Sequence, residues 1–164
     1  MRPTTRKSRA ALVAAASAAL LVGSVASAPG AGAVTPDWAT AQYDCGAWGP
    51  STAAYFTATQ SGSGATITVT LSSLTAPLPV QTNSVTSTLV LLKNGWETTE
   101  FTGTTNPFTS VGTPFVLGPL SGTVAAGDTL DSYSLGLYSL RMVFFGITIN
   151  CVAKSSLSPG PFVF

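Results

Sequence analysis

The side chains able to do chemistry in this sequence are few, and one type is missing. Histidine is absent from all 164 residues. That removes the usual general base at neutral pH, the Ser-His-Asp and Cys-His arrangements, and the imidazole ligands of most zinc and copper sites. The only thiols are Cys45 and Cys151. Their pairing as a disulfide is expected in an exported chain and leaves no free nucleophilic sulfur. A Ser-Lys pair needs a buried lysine, but Lys93 precedes an Asn-Gly turn and Lys154 precedes the C-terminal segment, so both are expected in solvent.

Paired carboxylates can hydrolyse glycosides without histidine. Glu97 and Glu100 are three apart, so a strand turns them to opposite faces. Asp37 and Asp44 fall near the start of the folded region. Asp128 and Asp131 bracket Thr129-Leu130 and are the one calcium candidate, through carboxylate and turn carbonyl oxygens. The plainer reading of every pair is a turn residue, or an edge charge that keeps sheets from adding to one another. No cofactor is expected. Exposed indoles can stack on sugar rings. Trp48, in Gly-Ala-Trp-Gly, and Trp96, after Asn94-Gly95, are the glycan-stacking candidates. Packing is the commoner fate of such side chains.

The elements that must position these residues are strands. Over 65–73, Ile67, Val69 and Leu71 alternate with Thr66, Thr68 and Thr70. Period 2 puts aliphatics on one face and threonines on the other, as in an antiparallel sheet with one wet side. Ser61-Gly62-Ser63-Gly64 turns this strand back from 53–60, and Asn94-Gly95 joins 84–93 to 96–102 as a hairpin. Pro77 and Pro79 bar 75–82 from a central strand. The stretch 140–152 is rich in β-branched and aromatic residues and ends on Cys151. It reads as the closing strand, with Gly146 as a bulge, tied by Cys151 to Cys45 at the opening strand. No helical period follows residue 33. About 7–9 short strands predict an antiparallel, immunoglobulin-like β-sandwich, with a small β-barrel as the alternative.

The N-terminus reads as a helical Sec signal peptide. Arg2, Arg6, Lys7 and Arg9 precede a small, apolar run over 10–25, and Ala31-Gly32-Ala33 offers cleavage after Ala33. The run is too short and too rich in Ala and Ser for a transmembrane helix. The expected layout is a leader over 1–33, the β domain over 34–154 and a C-terminal tail over 155–164. Phe162-Val163-Phe164 is able to add to a sheet edge. Beyond the leader, Lys93, Arg141 and Lys154 face Asp37, Asp44, Glu97, Glu100, Asp128 and Asp131, a net of −3. Those nine charges fall far below the ~25 % of an ordinary soluble domain. A basic patch for nucleic acid or anionic lipid is not expected, nor is a stable membrane anchor once the leader is gone.

Tyr43-Asp44-Cys45 near the start, the Thr/Val strands, Gly127-Asp128 before a late strand and Ile147-Thr148-Ile149-Asn150-Cys151 at the end resemble small secreted β-sandwich proteins of actinobacteria. The resemblance implies a fold and an extracellular location and carries over no site residues. The expected function is a secreted, non-enzymatic protein with a structural or interaction role at the cell envelope or in the medium. Its partner would be a cell-wall glycan or another envelope protein. A stand-alone carbohydrate-binding module is the alternative, and a carboxylate-based hydrolase comes third.

Overall fold

The computed structural model describes residues 33–164. The leader expected over 1–33, all but its last residue, lies outside the described residues. Ten strands follow: β1 (Trp38–Asp44), β2 (Thr52–Ser61), β3 (Gly64–Thr75), β4 (Thr86–Lys93), β5 (Glu97–Gly103), β6 (Pro114–Thr123), β7 (Thr129–Ser132), β8 (Leu140–Phe144), β9 (Ile147–Ala153) and β10 (Phe162–Val163). All neighbours pair antiparallel.

The sheet does not split into two layers. It runs β4-β5-β6-β3-β2-β1-β9-β8 and returns to β4, closing an eight-stranded barrel. The all-β antiparallel expectation holds, and the sandwich gives way to the barrel. The reason is the second edge of β4. A sandwich would leave it open, but here Thr86 to Leu89 pair with Val143 to Leu140 of β8. Closure removes the free edge altogether.

Two of the eight staves are built in pieces. β7 continues β8 along the same edge of β4, with Leu91 opposite Ser132 and Lys93 opposite Leu130. Between them the chain leaves the wall over 133–138. β10, paired with β7 through Phe162 opposite Leu130 and Val163 opposite Thr129, likewise continues the line of β9 beside β1 and the segment before it. Tyr43 and Asp44 pair with Ala153 and Val152. Lower down, Thr40 and Ser158 exchange both backbone bonds at 2.8 Å, and Thr35 and Val163 exchange theirs at 3.0 and 2.8 Å. Residues 155–164, expected as a tail, thus run on as the lower half of this stave. Phe162 is fully buried.

The stretch 140–152 also differs from the expected single strand. It is a hairpin, β8 and β9, and Gly146 lies in the turn rather than in a bulge. Phe144 pairs with Ile147 across Phe145-Gly146, both of which take positive φ, 49° and 74°. Two left-handed residues reverse a chain. Phenylalanine is not a residue that announces such a turn.

The wall is apolar inside and hydroxylic outside. Ile67, Val69 and Leu71 are fully buried, while Thr66, Thr68 and Thr70 face out. Phe115 meets Phe144 across the lumen at 5.2 Å between ring centroids, Tyr43 meets Phe56 at 5.8 Å, and Phe162 meets Phe164 at 6.4 Å. Eight staves enclose a space that such side chains just fill. A membrane-spanning barrel has the reverse pattern, apolar outside and polar within. Among the described residues, no helix is long and apolar enough to cross a membrane.

Cys45 and Cys151 are bonded, with Cα atoms 4.0 Å apart. They sit one step beyond the Asp44–Val152 pair, where the first stave meets the last. The bond closes a loop of 106 positions, for which chain entropy alone contributes about 4–5 kcal/mol. Reduction, or the Cys45→Ala/Cys151→Ala double variant, is expected to lower Tm by about 10 °C. Calorimetry with and without reductant checks this, and an unchanged Tm would show that the seam holds without the bond.

Candidate functional site

An even number of antiparallel staves sorts the connections onto two ends. One end carries β1–β2 (46–51), β3–β4 (76–85), β5–β6 (104–113) and the β8–β9 turn (145–146). None of these four segments contains Asp, Glu, Lys or Arg. Each nevertheless exposes a large apolar side chain: Trp48, Leu78, Phe108 with Val111, and Phe145.

These residues are held out by an ordered frame. Buried Asn106 is its hub. Its Oδ1 accepts from the Ser84 and Val85 amides at 2.8 and 2.9 Å, and its Nδ2 donates to the Gln81 and Pro107 carbonyls at 2.8 Å. Val80 and Thr109 exchange both backbone bonds at 2.9 Å. The Ala76 amide donates to the Thr113 carbonyl at 3.0 Å, and the Gly112 amide to the Ala76 carbonyl at 2.9 Å. The two longest connections therefore satisfy one another's backbone groups.

Phe145 is the sharpest feature of this end. It is 61 % exposed in a left-handed conformation that costs an L-residue with a side chain about 1–2 kcal/mol. Its ring meets Phe144 edge-on at 6.0 Å, so it extends the column of rings in the lumen. The opposite end turns by the same device with residues suited to it, as Asn94 and Gly95 have φ of 53° and 78°.

The opposite end is polar and charged. Asp128 is nearly covered. Its Oδ2 accepts from the Ala125 amide at 2.7 Å and meets Lys93 Nζ at 3.0 Å, while its Oδ1 accepts from Asn94 Nδ2 at 3.1 Å. The Ala125 amide first, then Asn94 and Lys93, hold this carboxyl below its usual range against the opposing effect of burial. Lys93 also meets Glu97 at 3.4 Å, and Asp128 above all holds its ammonium charged. Asp131 turns elsewhere, its Oδ1 accepting from the Ser132 and Leu157 amides at 2.7 Å. The calcium candidates are thus not brought together, and an ammonium already stands on Asp128. Among the described residues, no three groups of the metal-binding types converge. Glu100 points to solvent, and Asp44 meets Lys154 at 3.6 Å on the seam.

The glycan candidates are also separated. Trp48 and Trp96 are both exposed, but they stand at opposite ends of the barrel and cannot share a sugar chain. The aromatic pair that does share a surface is Trp38 with Tyr55, on the outer wall of β1 and β2. Thr40 faces Tyr55, and Trp38 faces Thr57. Thr68 and Thr70 continue these rows on β3. Diagonal neighbours of this kind lie within reach of one another.

Two concavities flank the polar end, one of about 420 Å³ against 33–37 and one of about 260 Å³ among Thr59, Ser61, Thr66 and Ser121. Gln60 lines both. Inside the wall, the Tyr43 hydroxyl faces Ser132, yet neither meets full hydrogen-bond geometry. Burial pushes this phenol far above its ordinary value, so it stays neutral and acts as a core residue.

No known protein family, curated protein or solved structure matches this chain.

Leu78, Phe108, Val111 and Phe145 were not among the sequence candidates. A signal for two of them is present: Pro77-Leu78-Pro79 and Asn106-Pro107-Phe108 set large apolar residues among loop formers, where packing does not call for them. Phe145 gave none, since it lies inside an apolar run.

The Asp128 cluster has a pH signature. A carboxyl lowered on folding stabilises above its unfolded value, 3.8, and that contribution is lost as pH falls through its folded value. Acid titration is expected to unfold the protein progressively below about that point, and Asp128→Asn is expected to flatten this limb. Superimposable titrations of the two proteins would remove Asp128 from the acid response.

Proposed function

We propose that this chain is an exported, non-catalytic β-barrel that works by docking its uncharged end against a partner outside the cytoplasm. One observation carries the reading: all four connections at that end are free of charge, and each holds a large apolar side chain out in solvent. Connections normally bear polar residues, and gathered exposed apolar groups mark interaction surfaces. The leader pattern and the long-range disulfide support the location.

The immobilised, oxidised protein is expected to retain a component from culture medium, wall material or envelope lipid. The Leu78→Ser/Phe108→Ser variant is expected to lose that component at an unchanged Tm. Retention unaffected by the variant would refute docking through this end.

A second reading concerns the wall. Trp38 and Tyr55, half exposed among Thr40, Thr57, Thr68 and Thr70, offer apolar rings ringed by hydroxyls, a surface suited to a neutral glycan. On this reading, retardation on insoluble chitin, cellulose or peptidoglycan disappears in Trp38→Ala/Tyr55→Ala. Equal retardation of both proteins would dismiss it.

A further inference from the structure

We infer that the partner of the uncharged end is the interfacial layer of a lipid bilayer without net charge; this rests on the docking reading above and names its target. The first argument is charge. Moving an ionisable group out of water is costly, and the segments 46–51, 76–85, 104–113 and 145–146 carry none. What they hold out is Trp48, Leu78, Phe108, Val111 and Phe145. Aromatic and aliphatic side chains of this kind gain at the boundary of headgroups and acyl chains. The chain beyond the leader has a net charge of −3, so anionic lipid offers it no attraction. A protein interface normally surrounds its apolar centre with a polar rim. Here Asp44, which borders the segment 46–51 and accepts from the Gly46 amide at 2.9 Å, is paired with Lys154 at 3.6 Å.

The second argument is the backbone. A loop entering lipid is penalised for each unpaired amide or carbonyl. In this rim Val80 with Thr109, and Ala76 with Thr113 and Gly112, pair across the two long connections. Asn106 takes up four further backbone groups. These pairings lower the cost of taking the two long connections out of water.

The third argument is Phe145. The chain builds a turn from two left-handed residues at each end of the barrel. It uses Asn94-Gly95 at the charged end and Phe145-Gly146 at the uncharged end. The first obeys turn chemistry and the second breaks it, in favour of a ring that is 61 % exposed. Strain kept where folding does not need it marks a working residue. An apolar ring at the tip of a rigid hairpin is suited to entering a bilayer.

The test uses the processed, oxidised protein in a Trp38→Phe/Trp96→Phe background, where Trp48 is the remaining indole. Phosphatidylcholine vesicles are expected to shift Trp48 emission to the blue, with a partition coefficient indifferent to salt. Phe145→Asn is expected to lower that coefficient about tenfold, and Phe145→Asn/Phe108→Ser about a hundredfold. Tm of Phe145→Asn should stay level or rise, because asparagine tolerates the left-handed position. Leu135 and Leu137 are 86 and 91 % exposed on the excursion in the wall, away from this end. Leu135→Ser/Leu137→Ser is therefore an equally apolar control and should partition like the parent. Four results would overturn the inference: no vesicle binding, a requirement for phosphatidylglycerol, loss of binding in the Leu135/Leu137 variant but not at the rim, or a Tm of Phe145→Asn that falls as for a core phenylalanine. If vesicles fail while a soluble partner is captured and lost with Phe145→Asn, docking through this end stands and the lipid target falls. If nothing binds in a Phe145-dependent way, both fall.

Discussion

The first stave meets the last along one seam, and the closed wall depends on it. β1 is paired on one side by β2 and on the other by β9 and Ser158, and just before β1 Thr35 pairs with Val163 of β10. The partners across the seam are separated by more than a hundred positions in sequence, so closing it works against a large loop entropy. The Cys45–Cys151 bond sits at its upper end. At its lower end Thr35 pairs with Val163, and Phe162 fills the lumen. With the seam closed, the second edge of β4 and the outer edge of β1 are both covered, which limits edge-to-edge association of a chain with few charges.

Closure also makes two ends, and the molecule uses them differently. One is fastened by charge: Lys93, Glu97, Asp128 and Asn94 form a compact set of ion pairs and charge-assisted hydrogen bonds. The other is fastened by a neutral amide, Asn106, together with paired backbone. Both frames hold their connections firmly; the charged end leaves one indole outside, Trp96, whereas each of the four connections at the neutral end holds out a large apolar side chain. A single wall thus separates a solvated end from an end suited to leaving water. The contrast between Asn94-Gly95 and Phe145-Gly146 condenses that division into two turns that share a pair of left-handed residues and differ in chemistry.

Much of this was legible in the residues. The alternation of Ile67, Val69 and Leu71 with threonines fixes which face of β3 is buried, because side-chain direction in a strand depends only on neighbours in sequence. Asn94-Gly95 announces its hairpin, because asparagine and glycine tolerate positive φ. Two cysteines leave one intramolecular pairing. These are local or combinatorial statements, and the residues alone settle them.

Closure of the wall is a different matter. Whether the second edge of β4 stays open or takes β8 and β7 depends on register summed around eight staves, to which every pairing contributes. Long-range pairing is what makes 140–152 fold back at Phe145, has 155–164 complete a stave, and sets Trp48 and Trp96 at opposite ends. The residues alone imply an all-β chain, its inward and outward faces and its one cystine. Which connections share an end, and so which apolar side chains can act together, follows from long-range edge pairing, which no short stretch of residues encodes.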